Sequence, residues 1–237
     1  MNSPKTINRV IDFCHKSLLE DNRGLSYLQD SRNLDIEIIK EFSLGLFPQD
    51  IRVLFQVADP QILRKINIIT NASHSVFKTW EIIFPVRDGF GVPVALAGRL
   101  IEANNKLSKY MNTPYQKKNY LFGLDLAKKT ILKEDKVYVV EGYFDVIKAH
   151  QHNIKNVVGV CSSFLTRRQL SLLSRYTENI ILMLDNDEPG KRNTQKILSR
   201  FENLNGVKMS HLNPFCSDTK DLDEFLDKYG PKKLILR

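Results

Sequence analysis

From Lys136 onward, four short apolar runs alternate with helical segments, and this alternation constrains the fold more than any other feature. "VYVV" (137–140) precedes a helical pattern near Tyr143–His150, and "NVVGV" (156–160) precedes one near Thr166–Tyr176. "IILML" (180–184) leads to a helix near Gly190–Phe201, and "VKMSHL" (207–212) leads, after a loop, to one near Leu222–Tyr229. Continuously apolar strands alternating with helices predict a mainly parallel, covered sheet. In such sheets, sites form beyond the carboxyl ends of the strands. Three of the four runs discharge acids there: Glu141 directly after the first, Asp185 and Asp187 after the third, and Asp221 and Asp223 beyond the last.

Driving a buried strand into adjacent acids is costly, because like charges about 4 Å apart repel by roughly 4 kcal/mol at an effective dielectric near 20. The carboxylates must be well solvated or share a cation. Each acid also has a structural role open to it. Asp145 and Glu188 suit helix N-termini, worth about 0.3–1 kcal/mol each, and Asp221, Asp223 and Glu224 suit a solvated first turn. Glu141 and Asp185 resist that explanation better, since each ends a buried apolar run. Glu141 and Asp145, four residues apart at a strand-to-helix turn, are expected on roughly the same side. Gly142 allows a sharp turn, Gly190 serves similarly after Asp187, and Pro189 suits a first helical turn. The three clusters together favour a hard cation, with Mg²⁺ the default and Mn²⁺ able to replace it. Such sites support phosphoryl chemistry.

The preceding half reads as mixed α+β, with a seam near 134–136 that divides the chain into 1–135 and 136–237. Helical spacing (Ile7, Val10, Ile11, Cys14, Leu18, Leu19) is broken by a turn signal at Asn22–Gly24, and a second helix runs from about Asp35 to Phe42. Residues 49 to 80 mix short helix and loop. "EIIFPV" (81–86) and "VPVALAGRLI" (92–101) flank "RDGFG", a hairpin signal. A polar stretch follows, then a helix from about Tyr120 to Lys133. Arg99, Lys106, Lys109, Lys117 and Lys118 fall between Arg99 and Tyr120 against one acid, Glu102, with Tyr110, Tyr115 and Tyr120 interleaved. Cations serve phosphates and aromatic faces stack on bases; a solvated polar loop over packed tyrosines is the alternative. The net charge of +8 permits a polyanionic partner without requiring one.

Other classes are disfavoured. Cys14, Cys161 and Cys216 are odd in number, far apart and without a C-x-x-C, so neither a disulfide scaffold nor a zinc site is expected. His150 and His152 read as surface or helix-end residues rather than ligands. No apolar run approaches 18 residues and no signal-peptide core is present, so a cytoplasmic protein with reduced thiols and no membrane partner is expected.

"VYVVEGYFDVI" resembles the first Toprim motif, with Glu141 as its glutamate, and "LDNDEPG" resembles the second, with Asp185 and Asp187. "KDLDEFL" is similar to the third acidic motif of bacterial DnaG-type primases, matching Asp221 and Asp223. Upstream, "YLQDSRNLDIEIIKEFSLGLFP" resembles the start of the primase RNA polymerase core, and "FPVRDGFGVPVALAGRLI" its hairpin. "SKYMNTP" with "KKNYLFGLDLAKK" resembles its basic motif. The resemblance covers about residues 18 to 229. The sequence departs from the family pattern at Ser162 and Ser163 in "GVCSSFLT" and at Asn33 in "RNL".

The resemblance implies a Toprim-type mainly parallel sheet flanked by helices, preceded by a mixed α+β N-terminal subdomain with a basic surface. It implies a DNA primase core, a nucleotidyltransferase that makes short RNA primers on single-stranded DNA, without the family's zinc-ribbon or helicase-binding domains. Glu141, Asp185 and Asp187 would be catalytic and bind Mg²⁺ or Mn²⁺, with Asp145, Asp221 and Asp223 in support; zinc is not expected. Arg99, Lys109, Asn112 and Lys117 would contact nucleotide or nucleic acid. Partners would be single-stranded template, NTPs and a replicative helicase or separate zinc-ribbon protein. The alternatives are a Toprim-type metal-dependent nuclease and a non-catalytic nucleic-acid-binding replication module.

Overall fold

The apolar stripe at Ile7, Val10, Ile11, Cys14 and Leu18 is the buried face of a first helix, α1 (Ser3–Leu19). This computed structural model describes residues 3–70, 74–102, 104, 106–162, 164–202, 204, 206–215 and 218–234; Ser163 and Cys216 lie outside them. The turn expected at Asn22–Gly24 is instead a helix restart, α2 (Asn22–Ser26), because the Asp21 carboxylate accepts the Gly24 N–H at 2.6 Å. It runs into a π turn at Tyr27–Ser31, followed by α3 (Ile36–Glu41). After β1 (Gly45–Leu46), Asp59 caps α4 (Pro60–Lys65), which has proline in its first turn.

The predicted hairpin is β2 (Ile82–Arg87) and β3 (Pro93–Arg99), joined by a turn in which the Gly91 N–H reaches the Asp88 carbonyl at 2.9 Å. Gly91 takes the positive φ there, at 85°. The polar stretch after the hairpin contains another strand, β4 (Tyr110–Asn112), half-buried and paired antiparallel with the end of β3. Strand order is β1-β2-β3-β4, all antiparallel. Gly98 on β3 is required by close approach: a Cβ there would lie 2.4 Å from the Trp80 carbonyl oxygen.

The alternating half forms α5 (Leu124–Glu134), β5 (Val137–Val140), α6 (Tyr143–Gln151), β6 (Val157–Gly159), α7 (Arg167–Leu173), β7 (Asn179–Leu182), α8 (Glu188–Phe201), β8 (Lys208–His211) and α9 (Leu222–Tyr229). Its sheet has the order β6-β5-β7-β8 and is wholly parallel. Val137, Val139, Val158, Ile180 and Leu182 pack with Ile197 and Phe201 of α8 and Leu170 and Leu173 of α7. β8 is an edge strand whose Lys208, Ser210 and His211 are exposed, so "VKMSHL" is less apolar in structure than its neighbours.

The described residues form two compact units, Met1–Arg87 with Val92–Tyr115, and Asp88–Gly91 with Gln116–Arg237. This division differs from the 135/136 seam because Leu124, Ala127 and Ile131 of α5 belong to the same core as β5, β6 and β7. His150, expected at a surface or helix end, lies in the last turn of α6 but is buried, 2% exposed, with Nε2 3.2 Å from the Val157 carbonyl. Its neighbours along α6, from Tyr143 onward, are buried all round. Among the described residues no helix is long and apolar enough to cross a membrane.

Candidate active site

The parallel sheet brings its strand-end acids to one edge because β5 and β7 are hydrogen-bonded neighbours in matching register. Glu141 leaves β5 directly. Asp185 follows β7 after Met183 and Leu184, and its N–H points to Glu141 Oε1 at 3.3 Å. Asp187 closes the turn as the cap of α8, accepting the Gly190 N–H at 2.9 Å, and Glu188 begins the helix as its sequence position suggests. Gly190 packs onto that turn: a Cβ there would lie 2.1 Å from the Asp185 carbonyl oxygen.

Asp145 and the α9 acids are tied to the same edge. Asp145 is buried, and its two carboxylate oxygens accept the Gly142 N–H at 2.8 Å and the Asp223 N–H at 3.1 Å. Asp221 caps α9, accepting the Glu224 N–H at 2.9 Å. Asp145 and Asp221 therefore do the helix-start work open to them in the sequence, and Asp145 also joins α6 to α9.

The electrostatics are those of a site short of positive charge. Burial, then the neighbouring Asp185, pushes Glu141 up to about 7. Burial, then Asp221, pushes Asp185 up to about 6. Asp145 is raised by burial and by Asp221, Asp185 and Asp223. Asp187 moves the other way, held below the usual carboxylate range chiefly by the Gly190 N–H. Lys220, immediately before Asp221, places its ammonium 3.4 Å from Asp185 Oδ2 and 3.2 Å from Asp187 Oδ2. Its backbone holds the same turn, the Asn186 N–H donating to the Lys220 carbonyl at 2.7 Å.

Among the described residues, no three Asp, Glu, His or Cys side chains form a closed metal-ligand set. The donor set still fits a hard divalent ion. It is all oxygen, electrically under-compensated, and already draws one cation, the Lys220 ammonium, onto two of its carboxylates. Mg²⁺ typically takes only one or two carboxylates and keeps several waters, so a closed protein cage is not required. Sequence reasoning missed Lys220, although its position beside Asp221 was a usable signal.

In the other unit, Arg99 and Lys109 line a pocket of about 420 Å³ with Tyr27, Arg32, Asn104 and Leu107. Arg99 is held there by the Tyr27 and Tyr110 hydroxyls, each accepting from its guanidinium at 2.7 Å, and it stacks 5.0 Å from the Tyr110 ring centre. Arg32 had stood out only as part of "RNL". Asn112, half-buried on β4, does not line this pocket. Lys117 belongs to the second unit, in a short 3₁₀ turn whose carbonyl faces the Gln169 amide at 3.4 Å. The same Gln169 amide reaches the Val160 carbonyl just beyond β6 at 3.5 Å, and the next N–H, that of Cys161, donates to the Glu141 carbonyl at 3.0 Å. Lys117 thus stands near the acidic edge of the parallel sheet.

Comparison with known proteins agrees with this architecture. Residues 13–128 match the N-terminal domain of the DNA primase catalytic core, and residues 138–226 match a Toprim-like family. The DNA primase of Aquifex aeolicus is 27% identical over 96% of this chain and 47% of its own length. That of Synechococcus elongatus is 31% identical over 89% of this chain and 33% of its own length. The chain thus spans about half or less of the primases it matches. The Aquifex aeolicus primase crystal structure, comprising zinc-binding and RNA polymerase domains, superposes with a TM-score of 0.86 over 98% of this chain and 59% of that one, at 27% identity. A DnaG primase catalytic domain bound to single-stranded DNA gives 0.82 over 97% and 75%, at 26% identity. Both halves match in the family's order across nearly the whole chain, and the chain belongs to the bacterial DnaG-type primase family as its Toprim-containing catalytic core.

Proposed function

We propose that this chain is the polymerising core of a primase, joining ribonucleotides into short RNA primers on single-stranded DNA. The observation that carries the reading is the pairing of Glu141 and Asp185 at the carboxyl edge of the parallel sheet. Burial raises both toward neutrality, helped by Asp185 at Glu141 and by Asp221 at Asp185, and a lysine ammonium already lies on Asp185 and Asp187. Membership of a Toprim-containing family implies a divalent metal. Glu141, Asp185 and Asp187 would hold Mg²⁺ or Mn²⁺, with Asp221 and Asp223 in support. Such ions, when bound, neutralise charge on the attacking and leaving oxygens of a nucleotidyl transfer.

The protein's own groups supply the rest. Asp145 positions the Gly142 turn and the start of α9 through its two backbone hydrogen bonds. Lys117, near the acidic edge, would meet the phosphates of the incoming NTP. Arg99, Lys109 and Arg32 would hold the template backbone in their pocket, with Asn112 on the neighbouring strand positioning that surface. The first unit would thus bind nucleic acid and the second metal and nucleotide. The DnaG catalytic domain solved with single-stranded DNA supports such a template. Helicase coupling and zinc-ribbon recognition would come from a replicative helicase and a zinc-ribbon module in the same or another chain.

The test supplies single-stranded template, four NTPs and Mg²⁺ or Mn²⁺, with a zinc-ribbon protein added in parallel, and looks for short RNA. Template-dependent RNA that disappears in Glu141→Gln is expected. Degradation of the template without synthesis would replace this reading with a nuclease, and inactivity in every arm with a binding module.

A further inference from the structure

α6 carries a lysine where the fold gives it no access to water. Every residue from Tyr143 to His150 is buried, and the Lys148 side chain is 0% exposed. Its ammonium donates to Asp227 Oδ1 at 2.7 Å and lies 3.9 Å from Asp223 Oδ1. Both partners belong to α9, one helical turn apart, and the Asp227 side chain is 36% exposed. Lys148 itself follows Asp145 by three residues, on the same face of α6. The two helices are therefore linked twice in register, by Asp145 to the Asp223 N–H and by Lys148 to Asp227 a turn further on.

A buried ammonium is an expensive way to stabilise a helix pair. Its desolvation costs several kcal/mol before pairing, and apolar replacements of similar volume are often neutral or stabilising. What such a pair supplies better than apolar packing is register, since a charge accepts only one placement of its partners. The first turn of α9 carries Asp221 and Asp223, and a one-residue slide or rotation of that helix would carry both away from the edge that holds Glu141 and Asp185.

We propose that Lys148 is a positioning residue for the acidic site, fixing the register of α9 against α6 so that Asp221 and Asp223 face the strand-end acids. The inference rests on the metal-binding reading above and extends it to a residue that touches neither metal nor substrate. It is tested on the full chain by Mn²⁺ binding, read from the EPR signal of the free ion, together with melting in EDTA. Lys148→Met should melt in EDTA close to wild type and yet bind Mn²⁺ at least fivefold more weakly. Asp227→Asn, which still offers the ammonium a carbonyl oxygen, should weaken Mn²⁺ as well. The double variant should be no worse than Lys148→Met alone, because both break one link.

Unchanged Mn²⁺ affinity in both single variants would overturn the inference and leave Lys148 as a stabilising pair only. Tighter binding in Lys148→Met would also overturn it, showing that the ammonium acts merely as a competing charge. Should Lys148→Met fail to fold, Asp227→Asn alone decides between these outcomes. Wild-type protein that binds no Mn²⁺ sensitive to Glu141→Gln would instead overturn the metal reading itself, and the inference with it.

Discussion

Replacing Gly190 by alanine should damage the site through the backbone alone. The added Cβ would lie 2.1 Å from the Asp185 carbonyl oxygen, 2.8 Å from its carbonyl carbon and 3.1 Å from its Cα. All three atoms are main chain, so no rotamer change relieves the clash, and the two segments must separate by about 1 Å. If α8 yields, the 2.9 Å bond from the Gly190 N–H to Asp187 is lost, worth about 1 kcal/mol as a cap. If the turn yields, the Asp185 N–H leaves Glu141. Overpacking costs about 1–3 kcal/mol, against about 1 kcal/mol gained from alanine's helix propensity. Net destabilisation of about 1–3 kcal/mol corresponds to a fall in Tm of roughly 3–10 °C for a chain of this size. Activity should suffer more, by about 10²-fold, because a displacement near 1 Å misplaces a reacting group. Thermal melts, Mn²⁺ titration and primer synthesis on the same preparation measure all three. A variant that melts within a degree of wild type and synthesises RNA normally would refute the close packing of α8 on the Asp185 turn.

The acidic edge also sets a pH dependence. Glu141 and Asp185 are raised to about 7 and about 6, so the folded chain favours their protonated forms. Their contribution to stability is present in full below the unfolded values and is lost as pH rises through 6 and 7. In EDTA, Tm should therefore fall between pH 5 and 8, by an amount equivalent to about 1–2 kcal/mol after discounting for partial exposure. Mg²⁺ should restore more stability at pH 8 than at pH 5.5, since protons compete for its ligands, and a Tm independent of pH in EDTA would contradict the assignment. Asp145→Asn keeps one carbonyl oxygen for two backbone donors and should cost about 1–3 kcal/mol in a denaturant titration; an unchanged midpoint would deny its linking role. Lys109→Ala should weaken single-stranded DNA binding and reduce the salt slope by about one, whatever the sequence; an unaltered slope would remove Lys109 from the template path.

The sequence by itself determined the parallel sheet, its strand-helix alternation and the placement of Glu141, Asp185 and Asp187 at strand ends. Those features are local, since apolar runs, turn glycines and capping acids act over a few residues. It also contained the motif order that carries the family resemblance. Only the tertiary structure decided how the acids divide their work. Asp145 and Asp221 spend their oxygens on backbone N–H groups, and Asp185 and Asp187 share the Lys220 ammonium. The buried positions of Lys148 and His150 were equally illegible, because α6 is covered on all sides and offers no polar face to mark them. Strand β4, the assignment of α5 to the second unit and the grouping of Arg32 with Arg99 and Lys109 depend on partners far along the chain. Periodicity reports which residues must be buried. Which charges meet once they are buried is settled by the register of strands and helices separated by tens of residues.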